Sequence, residues 1–246
     1  MDDMLYVAMS GAKETLIAQG NAANNLANAS TTGFLADLNQ FRAMPVFGQG
    51  YPTRVYALDE RPQTDFARGS VQPTGRDLDV AVTTGGYLAV QAPDGGEAYT
   101  RRGDLWVDDN GLLMTGNGLP VIGNGGPVAI PPADKIEIGV DGTISIRPQG
   151  QNVNELAVID RLKLVNPDIA DLRKGPDGLL RRADGDEQPF DAGQRVAPGA
   201  LESSNVNIVD EMVDMIEFAR RFELQVKMMR TAEENAQSSA SILDPV

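Results

Sequence analysis

The chain has 246 residues, 41% of them hydrophobic, and a formal net charge of −14. It is long enough to bury a real core, and its charge repels polyphosphates, which makes nucleic acid a poor partner. Cysteine and histidine are both absent, which excludes thiol nucleophiles, disulfides, Ser-His-Asp triads and imidazole bases and removes the usual zinc, copper and haem ligands.

The start, Met1-Asp2-Asp3, carries no basic n-region, and no apolar run reaches the roughly 20 residues of a membrane span. Neither a cleaved signal nor membrane insertion is expected. Residues from about Asp3 to Asn28 are predicted to form a helix, with Asp2 or Asp3 as its cap. Leu5, Met9, Ala12, Leu16, Gln19, Ala23 and Leu26 alternate four and three apart, with Gln19 the one polar member. That is a heptad seam. Gly11 and Gly20 weaken the helix, while the small residues Ala8, Ala12, Gly20, Ala22 and Ala23 allow a close neighbour. From Asn24 to Gly33 the run of Asn, Ser and Thr offers the backbone local side-chain bonds and ends the helix.

Residues 34–72 lack a sustained period. Pro45, Pro52, Pro62 and scattered aromatics (Phe41, Phe47, Tyr51, Tyr56, Phe66) suggest an extended connector with one or two short strands. From Pro73 to about Pro198 the texture is that of short strands and turns. Strands are expected at 78–82, 87–90, 98–102, 105–107, 112–115, 136–140, 143–146, 156–165 and 178–183. Val140-Asp141-Gly142-Thr143 signals a two-residue hairpin. The block reads as an all-β module, sandwich or barrel-like, with Trp106 as a core anchor.

The last forty residues repeat the theme of the first. Ile208, Met212, Met215, Ala219, Phe222, Val226, Met229, then Ala236, Ala240 and Leu243 alternate four and three apart, with Glu233 the one polar slot. Asn205 and Asn207 are candidate caps, Asp210, Glu211 and Asp214 suit the positive end of the helix dipole, and Pro245 closes the helix. A helix over 208–243 would be about 54 Å long. Two readings stand side by side. The stripes pack on the chain's own middle module, or the two ends pair with each other or with other copies as a discontinuous helical domain. Length favours the second.

Nothing singles out a catalytic centre. The glycine-rich GNGLPVIGNGG (116–126) is followed by Pro127 and a strand, not by the helix that a phosphate cradle needs. The acidic turns at Asp108-Asp109-Asn110 and Asp184-Gly185-Asp186-Glu187 lack the ligand alternation of an EF-hand loop. Arg101-Arg102, Arg181-Arg182 and Arg220-Arg221 read as solvated or interfacial charges. No catalytic, cofactor or metal residue is assigned, and no cofactor is expected.

NAANNLANASTTGF (21–34) resembles the N-terminal signature of the bacterial flagellar rod and hook family, and LESSNVNIVDEMVDMIEFARRFELQVKMMRTAEE (201–234) resembles its C-terminal partner. The middle is similar too, through TGRDLDVAV (74–82), GGYLAV (85–90), YTRRGDLWVDDNGLLMTGNGLPVIG (99–123) and DGTISI (141–146). The resemblance implies an α+β fold, with a discontinuous N- and C-terminal helical coiled-coil domain and an inserted all-β domain. The expected division is 1–33 and 201–246 for the helical rod core, 34–72 for the connector and 73–200 for the outer β domain. It further implies a structural subunit and not an enzyme, located in the rod of the basal body within the periplasm and exported without a cleaved signal. Partners would be proximal and distal rod subunits, copies of itself and the flagellar export apparatus. The assembly residues carried over by position are Leu5, Met9, Ala12, Leu16, Ala23, Leu26, Ile208, Met212, Met215, Ala219, Phe222, Val226 and Met229. An Ala- and Met-rich seam is weak glue for an isolated hairpin, so the free chain's ends are expected to order mainly on docking. From the residues alone, a cation-binding or enzymatic β domain with helical dimerisation arms, or a cytoplasmic coiled-coil adaptor, stays open.

Overall fold

The computed structural model describes residues 3–45, 55–149 and 156–243, apart from the side chains of Asp3, of residues 56–62 and of residues 242–243. The expectations for Asp2, Phe47, Tyr51, Pro52 and Pro245, and for the side chains of Asp3, Tyr56, Pro62 and Leu243, lie outside the described residues. The chain divides into two compact units. One comprises residues 1–29, 36–65 and 206–246, and the other comprises 30–35 and 66–205.

The first unit holds helix α1 (Asp3–Ala27), strands β1 (Asp37–Pro45) and β2 (Val55–Thr64), and helix α2 (Ile208–Leu243). At the end of α1, Asn28 donates its side chain to the Asn24 carbonyl at 3.0 Å, which satisfies a terminal acceptor and halts the helix. Asn207 caps α2, accepting the Val209 N–H at 3.1 Å on its side-chain oxygen. Asn205 takes no part in that cap and donates its amide to the Ala67 carbonyl at 3.0 Å. Residues 37–45 and 55–64, read from the sequence as part of a connector with short strands, form a long antiparallel ribbon. β1 pairs with β2 from Asp37↔Thr64 to Pro45↔Val55, with a register shift between Leu38 and Gln40. Such a two-stranded ribbon is marginal alone. It packs on α1, and Phe41 meets Phe218 of α2 edge-on at 6.3 Å between ring centroids.

The second unit is all-β. In chain order its strands are β3 (Val71–Pro73), β4 (Val80–Val82), β5 (Tyr87–Gln91), β6 (Glu97–Thr100), β7 (Leu105–Val107), β8 (Leu113–Thr115), β9 (Ile122–Gly123), β10 (Gly126–Pro127), β11 (Ala133–Ile138), β12 (Thr143–Pro148), β13 (Ala157–Arg161), β14 (Leu164–Val165), β15 (Leu172–Lys174), β16 (Leu180–Arg182), β17 (Val196–Pro198) and β18 (Ala200–Glu202). The main sheet has the order β14-β5-β6-β16-β15, and a second runs β11-β12-β13. Alternate residues of β5 serve two cores. Leu88 and Val90 join Leu105, Leu113, Val121 and Ile144, while Tyr87 and Ala89 join Tyr99, Leu172 and Leu180. Both faces are covered, so this strand reads as a continuous apolar run. The stretch 156–165, expected as one strand, is two in different sheets.

Two local expectations are corrected. The β11–β12 hairpin exists, but its loop has three residues. The Gly142 N–H reaches the Gly139 carbonyl at 2.9 Å, and the Gly139 N–H bonds the Thr143 carbonyl at 2.8 Å. Gly142 takes φ +83°, the left-handed residue that such a loop needs. Trp106 is no core anchor, for it is 44% exposed. Leu105 fills the inward slot of β7, and the period of two turns Trp106 outward, where its Nε1–H donates to the Thr115 carbonyl at 2.9 Å.

The two ends of the β unit are tied together. β3 pairs with β18 and β4 with β17; β4 lies within the strand expected at 78–82, while β3, β17 and β18 are too short and Pro-bounded to read from sequence. Between them Arg101 and Glu202, both almost wholly buried, form an ion pair at 2.9 Å. Glu202 also accepts the Gly69 N–H at 3.1 Å, and its carbonyl accepts the Gly33 N–H at 2.8 Å.

Candidate functional site

The sequence points to the terminal helices, and the first unit places them side by side. Asn25 of α1 bonds Glu211 of α2, and Gly11 abuts Gln225. Moving back along α1 therefore moves forward along α2, and the pair is antiparallel. The same register sets Asp3 against Glu233, so α2 continues about ten residues, roughly 15 Å, beyond the start of α1.

On the α1 side, the stripe that closes the pair is made of small and polar residues. On α1, Ala8, Gly11, Thr15, Ala18, Ala22 and Asn25 are buried at alternating spacings of three and four. On α2 the matching stripe is Glu211, Met215, Phe218, Phe222, Gln225, Met229 and Ala232, all buried or half-buried. Ala18, Ala22 and Phe218 form its apolar centre, with Met215 against them. A narrow face of alanine and glycine lets the axes approach but buries little apolar area, so the pair gains modest stability from it. Glu211 sits in this seam with its carboxyl held above the usual glutamate range. Burial is the main cause, and the nearby Asp214 and Asp210 charges push the same way against the lowering Asn25 hydrogen bond.

The residues singled out from sequence divide between this seam and the outer faces. Ala12 is buried. Leu5, Leu26, Met215, Ala219, Phe222, Val226 and Met229 are half-buried. Met9 is 53%, Leu16 50% and Met212 49% exposed, and Ala23 and Ile208 are exposed as well. On α1 the predicted seam thus runs one residue beyond the stripe that meets α2, about 100° around the helix. Sequence reasoning also passed over the exposed Tyr6 and Ile17 on α1 and Val209, Val213, Ile216, Leu224 and Met228 on α2. Large apolar side chains thus lie outside while alanines are buried. A signal for them was present: Val209, Val213 and Ile216 form a second four-three series beside the first.

Elsewhere the chemistry is sparse. A polar cleft of about 500 Å³ in the β unit is lined by Glu97, Lys163, Glu187 and the 122–127 turn, but Lys163 and Glu97 already neutralise each other. Among the described residues no three acidic side chains are placed to hold a metal ion, and no helix is long and apolar enough to cross a membrane.

Comparison with known proteins bears on the whole chain. Residues 5–34 match the family model described as flagella basal body rod protein. Residues 81–146 match that of the flagellar hook protein FlgE/F/G D1 domain, and 197–242 that of the flagellar basal body rod FlgEFG protein C-terminal. The flagellar basal-body rod protein FlgF of Escherichia coli (strain K12) is 44% identical over 99% of both chains. That of Salmonella typhimurium (strain LT2) is 43% identical over 96% of both. The flagellar basal-body rod protein FlgG of Bacillus subtilis (strain 168) is 30% identical over 97% of this chain and 98% of its own.

Proposed function

The chain belongs to the flagellar basal-body rod protein family, and from that premise we propose that it is a structural subunit of the proximal rod. The higher identity to FlgF proteins than to FlgG favours the proximal position over the distal one. The subunit sits in the basal body, in the part of the rod that crosses the periplasm, and passes motor torque toward the hook. Its role is mechanical and not catalytic. It reaches its place through the flagellar export apparatus, and its neighbours are proximal and distal rod subunits and copies of itself.

The observation that carries the reading is the exposed apolar surface of the paired helices, with Met9 and Leu16 on α1 and Ile208 and Met212 on α2. A solvated monomer has no use for it, whereas a packed shaft covers it with neighbours. We assign the assembly interface to Leu5, Met9, Ala12, Leu16, Ala23, Leu26, Ile208, Met212, Met215, Ala219, Phe222, Val226 and Met229. Met215, Phe222 and Met229 hold the pair, and those exposed meet the next subunit as a coiled-coil-like seam. The working division is a rod-core domain from 1–33 and 201–246, a connector over 34–72 that braces neighbours through its ribbon, and an outer β domain over 73–200. The small-residue helix seam supports a terminal unit that is marginal in the free chain and is completed by docking.

The test is made in cells that lack the endogenous gene. The wild-type chain should be recovered in isolated basal bodies and restore swimming. Met9→Glu and Met212→Glu chains should be exported, fold their β unit and fail to incorporate. Recovery of both variants in rods with full motility would overturn the interface, and absence of the wild-type chain from basal bodies would overturn the rod reading.

A further inference from the structure

Asn25 is 1% exposed, and its side-chain amide is shared among three elements. Its Nδ2 donates to the Asp37 carbonyl at 2.9 Å and to Glu211 Oε1 at 2.8 Å, and its Oδ1 accepts the Asp37 N–H at 2.9 Å. Toward Asp37, the first residue of β1, it behaves as a strand partner would, giving and taking one bond. Toward Glu211 it grips the first turn of α2. One helical turn earlier, Asn21 Nδ2 donates to Asn39 Oδ1 at 2.6 Å, and Asn39 Nδ2 reaches the Ala18 carbonyl at 3.4 Å. Four helical residues rise about 6 Å and two strand residues about 6.6 Å, so Asn21 and Asn25 match Asn39 and Asp37 rung for rung. A slip of the ribbon by one residue would strip the buried Asn25 amide of its two bonds to Asp37, leaving its Oδ1 without that partner in a buried site.

We propose that Asn25 is the positioning residue that couples ordering of the β1–β2 ribbon to pairing of the terminal helices, so that the unit closes as a whole. A two-stranded ribbon is marginal by itself, and the α1 side of the helix seam is alanine, glycine and polar residues. Neither is self-sufficient, and Asn25 is the buried polar junction at which they meet α2. The biological use of this rests on the rod reading above: a subunit that orders on docking gains from having no half-closed state.

The test is hydrogen exchange on the full-length chain in trimethylamine oxide, which favours compact states and so populates a marginal unit. Met229→Ala weakens the helix pair eighteen residues along α2 from Glu211, away from the Asn25 junction. In the wild-type background it should raise exchange of the Asp37–Pro45 amides about tenfold. In an Asn25→Ala background the same substitution should leave the ribbon amides where Asn25→Ala alone puts them, while Val121 and Val128 of the β unit stay unchanged throughout. A ribbon that responds to Met229→Ala equally in both backgrounds, or in neither, overturns the proposal. So does a wild-type chain whose Asp37 amide is unprotected in the osmolyte. None of these results depends on where the chain is found in the cell, so the rod reading stands or falls separately.

Discussion

At the scale of single residues, the β unit hinges on Arg101 and Glu202. Each is buried deeply enough that neither charge is tolerable alone, and each also holds backbone: Glu202 the Gly69 N–H, and Arg101 the Gly85 carbonyl at 3.0 Å. Removing Glu202 strands the buried Arg101, a loss that typically costs about 3–5 kcal/mol, whereas exchanging both for apolar groups costs much less; loss of Arg101 is cushioned by Arg68, 3.9 Å from Glu202. Glu202→Ala should therefore lower the unfolding midpoint of the β unit sharply, and Arg101→Met combined with Glu202→Leu should recover much of it. The chain's single tryptophan, Trp106, lies in this unit and reports it alone by fluorescence. Additive losses in the double variant would show that the two side chains do not act as a pair. Gly33 belongs to the same junction. Its φ is +65°, and a Cβ there would sit 2.4 Å from the Arg101 carbonyl carbon. Gly33→Ala should cost more than about 2 kcal/mol in the same assay, since strain and a backbone clash add; a change of under 0.5 kcal/mol would mean the loop shifts freely. The Arg101–Glu202 pair was invisible in the sequence because its members lie a hundred residues apart and each looks like an ordinary surface charge. Gly33 was legible only as the end of a polar run.

At the scale of elements, period was legible and orientation was not. The four-three spacing marks both helices, and α2 spans Ile208–Leu243, the range its seam predicts. The seam chosen by size, with Leu5, Met9 and Leu16, is not the stripe that meets α2. Close packing of two helices selects the narrowest face, and that face is marked by Ala8, Gly11, Ala18 and Ala22. The β strands at 87–90, 105–107 and 143–146 were readable from their apolar runs. The ribbon was not, because β1 is exposed along most of its length and shows no sustained alternation to read. β17 and β18 hid behind prolines. The two glycines of α1 illustrate how packing decides. Gly11 lies under Gln225, whereas nothing stands within 4 Å of a Cβ placed on Gly20. Gly20→Ala should thus stabilise α1 by up to about 1 kcal/mol and increase the helical circular dichroism of the free chain. Ala18→Leu, which forces a large side chain into the seam against Phe218, should lose about 1–3 kcal/mol and reduce it. If Gly20→Ala left the dichroism unchanged, or Ala18→Leu raised it, the seam would not be what limits helix order in solution.

At the scale of the whole molecule, the two units answer acid in opposite directions. In the β unit four aspartates sit below their usual range. Asp108 is held there chiefly by the Leu112 N–H, Asp141 by the Thr143 hydroxyl, Asp177 by the Arg181 guanidinium and Asp191 by the Gln194 amide. A carboxylate whose folded value is depressed adds stability above its unfolded value, and that stability is lost as pH falls through the folded one. The β unit should therefore hold from neutrality down to about pH 4, where an ordinary aspartate titrates, and weaken below. Glu211 in the helix seam works the other way. Its folded value is raised by burial, so its stabilising share is fully present below the usual glutamate value and is lost as pH rises through the raised one. Acidification from neutrality toward the ordinary glutamate value, about pH 4.3, should then increase helical dichroism while Trp106 fluorescence stays constant, and only further acid should move the fluorescence. Glu211→Gln keeps a side-chain oxygen to accept from Asn25 but removes the titration, so it should flatten the helical response without touching that of the β unit. A helical signal that falls between neutrality and about pH 4.3, or one that rises equally in the Glu211→Gln chain, would show that some other carboxylate governs the terminal unit. The expected order follows from position: the depressed aspartates all lie in the β unit, and the raised Glu211 lies in the terminal one.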